Sequence, residues 1–218
     1  RDPLWSRGLG DVYKRQALGS SIVALGNNSA TTERDIVAMA TRLASAGTLA
    51  GLTETEIIAL ASSMSSVGIE AEAGGTAMSQ TLAAMEKAVV MGGEQLGKFA
   101  KVAGMSATEF ADKWKSTPIE AIRAFTAGLG GLESQGESAV LVLDDMGLSG
   151  VRQSNMLQSL ALASKTMNGA IELSNDAWQK NTALADEASK RYATTESQMI
   201  LFNLSLIHIS EPHETRED

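Results

Sequence analysis

The chain has no cysteine, and its only two histidines are His208 and His213. Disulfides and thiol chemistry are therefore excluded, and the redox compartment is left open. Proline occurs three times and aromatic residues make up 4% of the chain. No run of 18 or more apolar residues exists, the length a membrane-spanning helix needs; the longest candidates are AVVM (88–91) and AVLVL (139–143). Basic residues are outnumbered, 18 Lys+Arg against 26 Asp+Glu, for a net charge of −8. Non-specific nucleic-acid binding depends on basic surface, so this balance argues against it. Ala, Ser, Met and Leu are plentiful, a composition that suits helices packed closely through small residues rather than a thick aromatic core. The 218 residues are enough for one sizeable core or two small ones.

The two ends share an unusual relation. Leu204 to Ile209 can be written CTG TCT CTT ATA CAC ATC, whose reverse complement GAT GTG TAT AAG AGA CAG reads Asp11-Val12-Tyr13-Lys14-Arg15-Gln16. Ser210, Glu211 and Pro212 reverse in the same way to Gly8-Leu9-Gly10, and one inserted cytosine extends the match through Ser6 and Arg7. Selection on a protein does not produce an inverted DNA repeat at both ends of a reading frame. The string resembles the transposon-derived adapter used in sequencing libraries, so 1–16 and 204–218 read as non-native and are set aside, residues 1–5 only because they precede the string at Ser6. Both histidines go with them. The remainder, 17–203, then reads as an internal fragment of a longer protein.

Within 17–203 the punctuation is that of short helices. Thr53-x-x-Glu56 and Ser106-x-x-Glu109 are capping boxes, in which a hydroxyl and a carboxylate satisfy free amides at a helix start. Each follows a Gly and a large apolar residue, Gly51-Leu52 and Gly104-Met105. The Gly suits the left-handed end of the preceding helix. The apolar residue is placed to staple onto Ile57 or Phe110. Gly147-Leu148-Ser149 repeats the phrase more weakly, and Thr117-Pro118-Ile119-Glu120 offers another start with Pro in the first turn. Apolar periodicity agrees: Ile36, Met39, Ala40 and Leu43; Ile57, Leu60, Ala61, Met64 and Val67; Met78, Leu82, Met85 and Val89. Helices are predicted at about 32–47, 53–67, 72–91, 93–103, 106–115, 118–128, 134–146 and 149–165, with breaks in 68–75 and the Gly-rich 128–136.

From Met167 onward the texture changes. Ile171, Ser174, Trp178, Asn181, Ala185, Ala188, Tyr192, Thr195, Met199 and Phe202 recur at alternating spacings of three and four. This predicts one long helix over 166–203, of about 50 Å at 1.5 Å per residue. Two readings stay open: a coiled-coil-like heptad seam, or an amphipathic helix folding back on the bundle.

Chemistry-bearing patterns are sparse. Gly92-Gly93-Glu94-Gln95-Leu96-Gly97-Lys98 satisfies the G-x-x-x-x-G-K part of a phosphate-binding loop, after the apolar run Val89-Val90-Met91. VLVLDD (140–145) would supply a strand ending in the carboxylate Asp144, which gives a P-loop-like ATPase reading through Gly92, Gly97, Lys98 and Asp144. Against it, Phe99 stands where magnesium needs a hydroxyl, and few segments read as the strands such a loop launches from. The plainer reading is a break between two helices. Glu70 with Glu72, or Asp186 with Glu187, are nominal acid pairs on helix-forming stretches without sign of a cleft. Lys98, Lys101, Lys113 and Lys115 read as the solvent side of two short helices. Without Cys or retained His, zinc sites and His-dependent triads have no members. No catalytic, cofactor-binding or metal residue is assigned.

Four stretches carry a family resemblance: VALGNNSATTERDIVAMATRLASAG (23–47), GLTETEIIALASSMSSVGIEAEAGGTAMSQTLAAM (51–85), AGMSATEFADKWKSTPIEAIRAFTAGL (103–129) and LDDMGLSGVRQSNMLQSLA (143–161). In order, they resemble the core of phage tail tape measure proteins. The resemblance implies a long helical protein inside the growing tail tube that sets tail length by its own length. It implies self-association in the tube and, as partners, the major tail protein, tail assembly chaperones and baseplate proteins. The implied location is the virion tail, with the host cytoplasm during assembly, and a prophage is an implied source of the gene. Sequence-specific nucleic-acid binding and a membrane span are not expected, and catalysis is not expected. A helical adaptor or scaffold is the alternative that composition alone allows. The expected fold is all-α: a bundle of short capped helices over 17–165, then the long helix over 166–203.

Overall fold

The computed structural model describes residues 4–192 and residue 199. Among the described residues there are eleven α-helices and no strand, in agreement with the all-α expectation. They are α1 Leu4–Asn28, α2 Glu33–Leu49, α3 Glu54–Ser66, α4 Ala71–Met91, α5 Gly93–Val102, α6 Ala107–Ser116, α7 Pro118–Gly131, α8 Ala139–Asp145, α9 Val151–Leu162, α10 Ser164–Lys180 and α11 Ala183–Tyr192. A single 3-10 turn, Glu133–Gln135, separates α7 from α8.

The turn phrases do what their residues suggest. At Gly51, Leu52 N–H donates to Gly47 C=O (2.9 Å) and Gly51 N–H to Thr48 C=O (3.1 Å). Gly104 repeats the pair, with Met105 donating to Ala100 (2.9 Å) and Gly104 to Lys101 (3.1 Å). These are Schellman endings, and they require the left-handed φ of 83° and 69° found at the two glycines. The next helix starts at once. Thr53 Oγ1 accepts from Glu56 N–H (3.3 Å) while the Glu56 carboxylate accepts from Thr53 N–H (2.8 Å). Ser106 Oγ accepts from Glu109 N–H (3.2 Å). Ala at Thr53 is expected to cost about 1 kcal/mol, readable as a lower urea midpoint with an unchanged slope.

Packing places α3 at the centre. Thr55 and every residue from Ile57 to Met64 are buried, so the helix is covered all round rather than on one stripe. Its neighbours are α1, α2 and α10. Small residues make this possible: Ser62 and Ser63 are fully buried, Ser63 Oγ donating to Ala59 C=O (2.7 Å) and Ser62 Oγ lying 3.3 Å from Ser29 Oγ. Ile36, Met39 and Leu43 from α2 and Met78, Leu82 and Met85 from α4 complete this part of the core. The aromatics do not spread thinly. Phe99, Phe110, Phe125 and Trp114 gather where α5, α6 and α7 meet, with ring centroids 5.4–6.5 Å apart. Trp114 Nε1 donates to the Glu86 carboxylate of α4 (2.6 Å) and joins this cluster to the rest.

Four expectations need correction. The helix of 17–28 was not predicted at all, yet α1 packs against α10, α3 and α11. The predicted helix 134–146 is interrupted: Gly136 takes φ 79° and α8 begins only at Ala139. The predicted breaks hold glycines that are helical, Gly74 and Gly75 in α4 and Gly128, Gly130 and Gly131 in α7. Their use is proximity rather than freedom. A Cβ on Gly75 would come within 2.5 Å of Arg42 Cβ in α2, and one on Gly130 within 2.9 Å of the Ala161 carbonyl in α9.

The single helix over 166–203 is the fourth. Asn181 adopts the left-handed conformation (φ 50°, ψ 34°) and ends α10, and α11 starts at Ala183. Asn tolerates this geometry better than most side chains. Ser20 of α1 fixes the corner, its Oγ donating to Asn181 Oδ1 (3.1 Å) and accepting from Leu184 N–H (3.4 Å). A second polar residue of the supposed seam binds the bundle as well: Ser174 Oγ donates to Thr55 C=O (2.9 Å), and Ser21 Oγ donates to Ser174 C=O (3.0 Å). Between the two open readings, α10 is the helix that folds back. The seam positions past Tyr192, other than Met199, lie outside the described residues.

Candidate functional site

The glycine-rich stretch proposed as a phosphate loop contains no open loop. Gly92 ends α4, and Gly93 already begins α5, so Glu94, Gln95, Leu96 and Gly97 are wound into helix. The element before it is the helix α4 and not a strand, and VLVLDD lies in the helix α8. Asp144 is exposed, and Lys98 is engaged elsewhere. The four residues of the ATPase reading are not brought together as that chemistry requires.

Lys98 instead ties two helices. Its ammonium donates to the Asp145 carbonyl (3.0 Å) and to the Asp145 carboxylate (3.1 Å), and it pairs with Glu94 one turn earlier on α5 (3.0 Å). Asp145 is the last residue of α8, so the cation also sits at the negative end of that helix. Hydrogen bonding to Glu94 first, then to Asp145, raises the Lys98 pKa from the ordinary 10.5. Any stability from this raised pKa is present in full below pH 10.5 and is lost only as pH rises through the raised value. One turn along α5, Lys101 reaches Glu137 at 3.4 Å, in a pair exposed on both sides. Lys113 and Lys115 fall in the last turn of α6, a favourable end for positive charge.

These ion pairs border a groove of about 720 Å³ between α5, α7 and the segment carrying α8. Val102, Ala127, Gly128, Leu132, Leu141 and Val142 line its apolar part. A second groove, of about 700 Å³, runs between the N-terminal turns of α4 and α9 and is lined by Glu70, Glu72, Thr76, Gln80 and Arg152. Glu70 and Glu72 thus stand at a helix start, where acids complement the dipole. Asp186 stands in the first turn of α11, and Glu187 pairs with Arg191 (3.2 Å). Among the described residues no group of three or more His, Asp or Glu side chains converges as a metal site, and no helix is long and apolar enough to cross a membrane.

The methionines divide. Met64, Met78 and Met85 fill the core, and Met105 is partly buried. Met91 is exposed next to Val90, and Leu49 is exposed at the end of α2. Leu49 and Val90 border a shallow apolar groove of about 330 Å³ formed by α2 and α4. The partners of Lys98 and Lys101 escaped sequence reasoning, because contacts 47 and 36 residues away leave no periodic signal.

A family model described as phage-related minor tail protein matches residues 9–142, more than half of the chain. The match begins inside the segment set aside as adapter-like and ends within α8. No curated protein and no solved structure matches.

Proposed function

We propose, from the premise that this chain belongs to the family of phage-related minor tail proteins, that it is the helical core of a tail tape measure protein. The family gives a structural role in a phage tail. The finer reading rests on the four stretches within 23–161, which follow one another in the order of the tape measure core. In that role the protein lies in the growing tube beside further copies of itself, contacts the major tail protein, chaperones and baseplate proteins, and passes through the host cytoplasm during assembly. Length is set by the extent of the complete polypeptide. Catalysis is not part of the reading.

The terminal segments are proposed to be adapter-encoded. The inverted repeat carries this, and burial supports it: Val12 to Gln16 are all exposed, whereas Ala17 is completely buried. Val12 to Gln16 would then extend α1 as solvated helix without adding to the core.

A long sequencing read of the source DNA across Gln16/Ala17 and Asn203/Leu204 tests both parts. The expected result is native helix-rich sequence continuing on both sides among virion genes. Genomic DNA that reproduces 1–16 and 204–218 would overturn the adapter proposal. Neighbouring genes without virion proteins would favour the helical adaptor or scaffold instead.

A further inference from the structure

The segment between Gly136 and Gly147 is built unlike the rest of the bundle. Its helix α8 has only seven residues, and both flanking glycines have positive φ, 79° and 73°, with nothing within 4 Å of where a Cβ would stand. Leu143, Met146 and Leu148 anchor its C-terminal half in the core. Its N-terminal half holds mainly by the small side chain of Ala139, while Val140 and Leu141 face solvent. Gaps lie on both sides of it. One is the 720 Å³ groove against α5 and α7; the other is a 60 Å³ cleft lined by Ala139, Leu129, Gln158 and the exposed Leu162. Across these gaps the polar ties are the two lysines of α5. Lys101 holds Glu137 just before α8, and Lys98 holds Asp145 at its end.

We propose that residues 136–147 form an ionic strap. When the Lys98–Asp145 tie is broken it rocks away from α5 about its glycine ends, with Leu143 and Met146 staying in the core, and so widens the groove between α5 and α7. The two ties are unequal. The Lys98 side chain is 21% exposed and meets three acceptors on two residues, whereas Lys101 is 76% exposed and meets one. Exposed single pairs contribute little, so Lys98 is the latch and Lys101 an accessory. The strap is a property of the fold and stands whichever tail role the protein has.

Hydrogen exchange of the full chain, followed by mass spectrometry on peptides covering 139–146, tests this. Lys98→Met keeps the length of the side chain and removes its charge. Exchange of those amides is expected to quicken roughly three- to tenfold, the scale set by loss of weak ion pairs. Lys101→Met is expected to change it less than about twofold. Sodium chloride near 1 M is expected to move the unaltered chain in the same direction as Lys98→Met, since screening weakens exposed pairs. Peptides from α2, α3 and α4 keep their rates. Asp145→Asn, on the exposed side of the tie, gives the same local effect and serves if Lys98→Met does not fold. An unchanged rate at 139–146 in both variants overturns the strap, as does an equal acceleration of α2, α3 and α4, which would make Lys98 a support of the whole bundle.

Discussion

Gly128→Ala is expected to destabilise the bundle by about 3 kcal/mol, at the upper end for overpacking a close contact. The residue lies inside α7, where a Cβ would overlap the Val102 carbonyl at the end of α5. The obstacle is backbone, so no side chain can rotate away, and α5 and α7 must separate. That movement also loosens the tilted contact of Phe99 with Phe125, which joins the same two helices. For a chain of this size 1 kcal/mol corresponds to roughly 2–4 °C, so the melting midpoint should fall by about 6–12 °C in calorimetry. Gly169 is the control. It is also helical, in α10, but exposed, with open space around a Cβ. Gly169→Ala is expected to stabilise by about 0.5–1 kcal/mol, because only helix propensity is changed. Equal effects at the two sites would show that α5 and α7 do not approach as described.

Phe99→Ala is expected to cost about 3–5 kcal/mol, the range for emptying an aromatic site in a close-packed core. Phe99 is 2% exposed and touches both Phe110 and Phe125, so it is the ring through which α6 and α7 communicate with α5. Set against a total stability of about 5–15 kcal/mol for a folded domain, this is a large fraction. Chemical denaturation reads it directly, and Phe99→Leu, which keeps most of the volume, should lose less than half as much. A loss below about 1 kcal/mol for the alanine variant would mean that the aromatic cluster is not a packed core.

How much of this was legible in the sequence depended on whether the deciding interaction was local. The capped starts at Thr53 and Ser106 and the glycine endings at Gly51 and Gly104 involve residues within five positions of each other and agree with the sequence reading, except that the full capping box forms only at Thr53 and Ser106 supplies its hydroxyl half alone. Gly75 and Gly128 fall where a predicted helix overlaps a predicted break, and Gly130 falls in a predicted break alone, because a glycine that ends a helix and one that admits a neighbouring helix look alike in sequence. What separates them is Arg42, Val102 or Ala161, tens of residues away. Asn181 was placed in a heptad seam although its side chain is one of the few that favours a left-handed helix end, so that signal was present and outweighed by spacing. The helix α1 is lost for another reason: Gly19, Ser20, Ser21 and Gly26 dilute its periodicity, and the burial of Ser20 and Ser21 against α10 and its corner with α11 is tertiary. On the functional side, the apparent phosphate loop failed for the reason its neighbours suggested, since helical sequence flanks it on both sides. The Lys98–Asp145 tie could not be read at all.

Tail length in phage particles gives the most direct test of the proposed role. If the proposed tape measure reading holds and the gene continues as helical sequence, an in-frame deletion of 60 of those further codons, leaving the codons for 17–192 intact, should shorten tails by about 90 Å, at 1.5 Å of helix per residue. Electron microscopy of purified virions resolves a change of that size. Shortening in proportion to the deletion is the result a tape measure requires. Tails of unaltered length on particles that still carry the shortened protein would contradict it, and would leave the protein a tail component that does not set length.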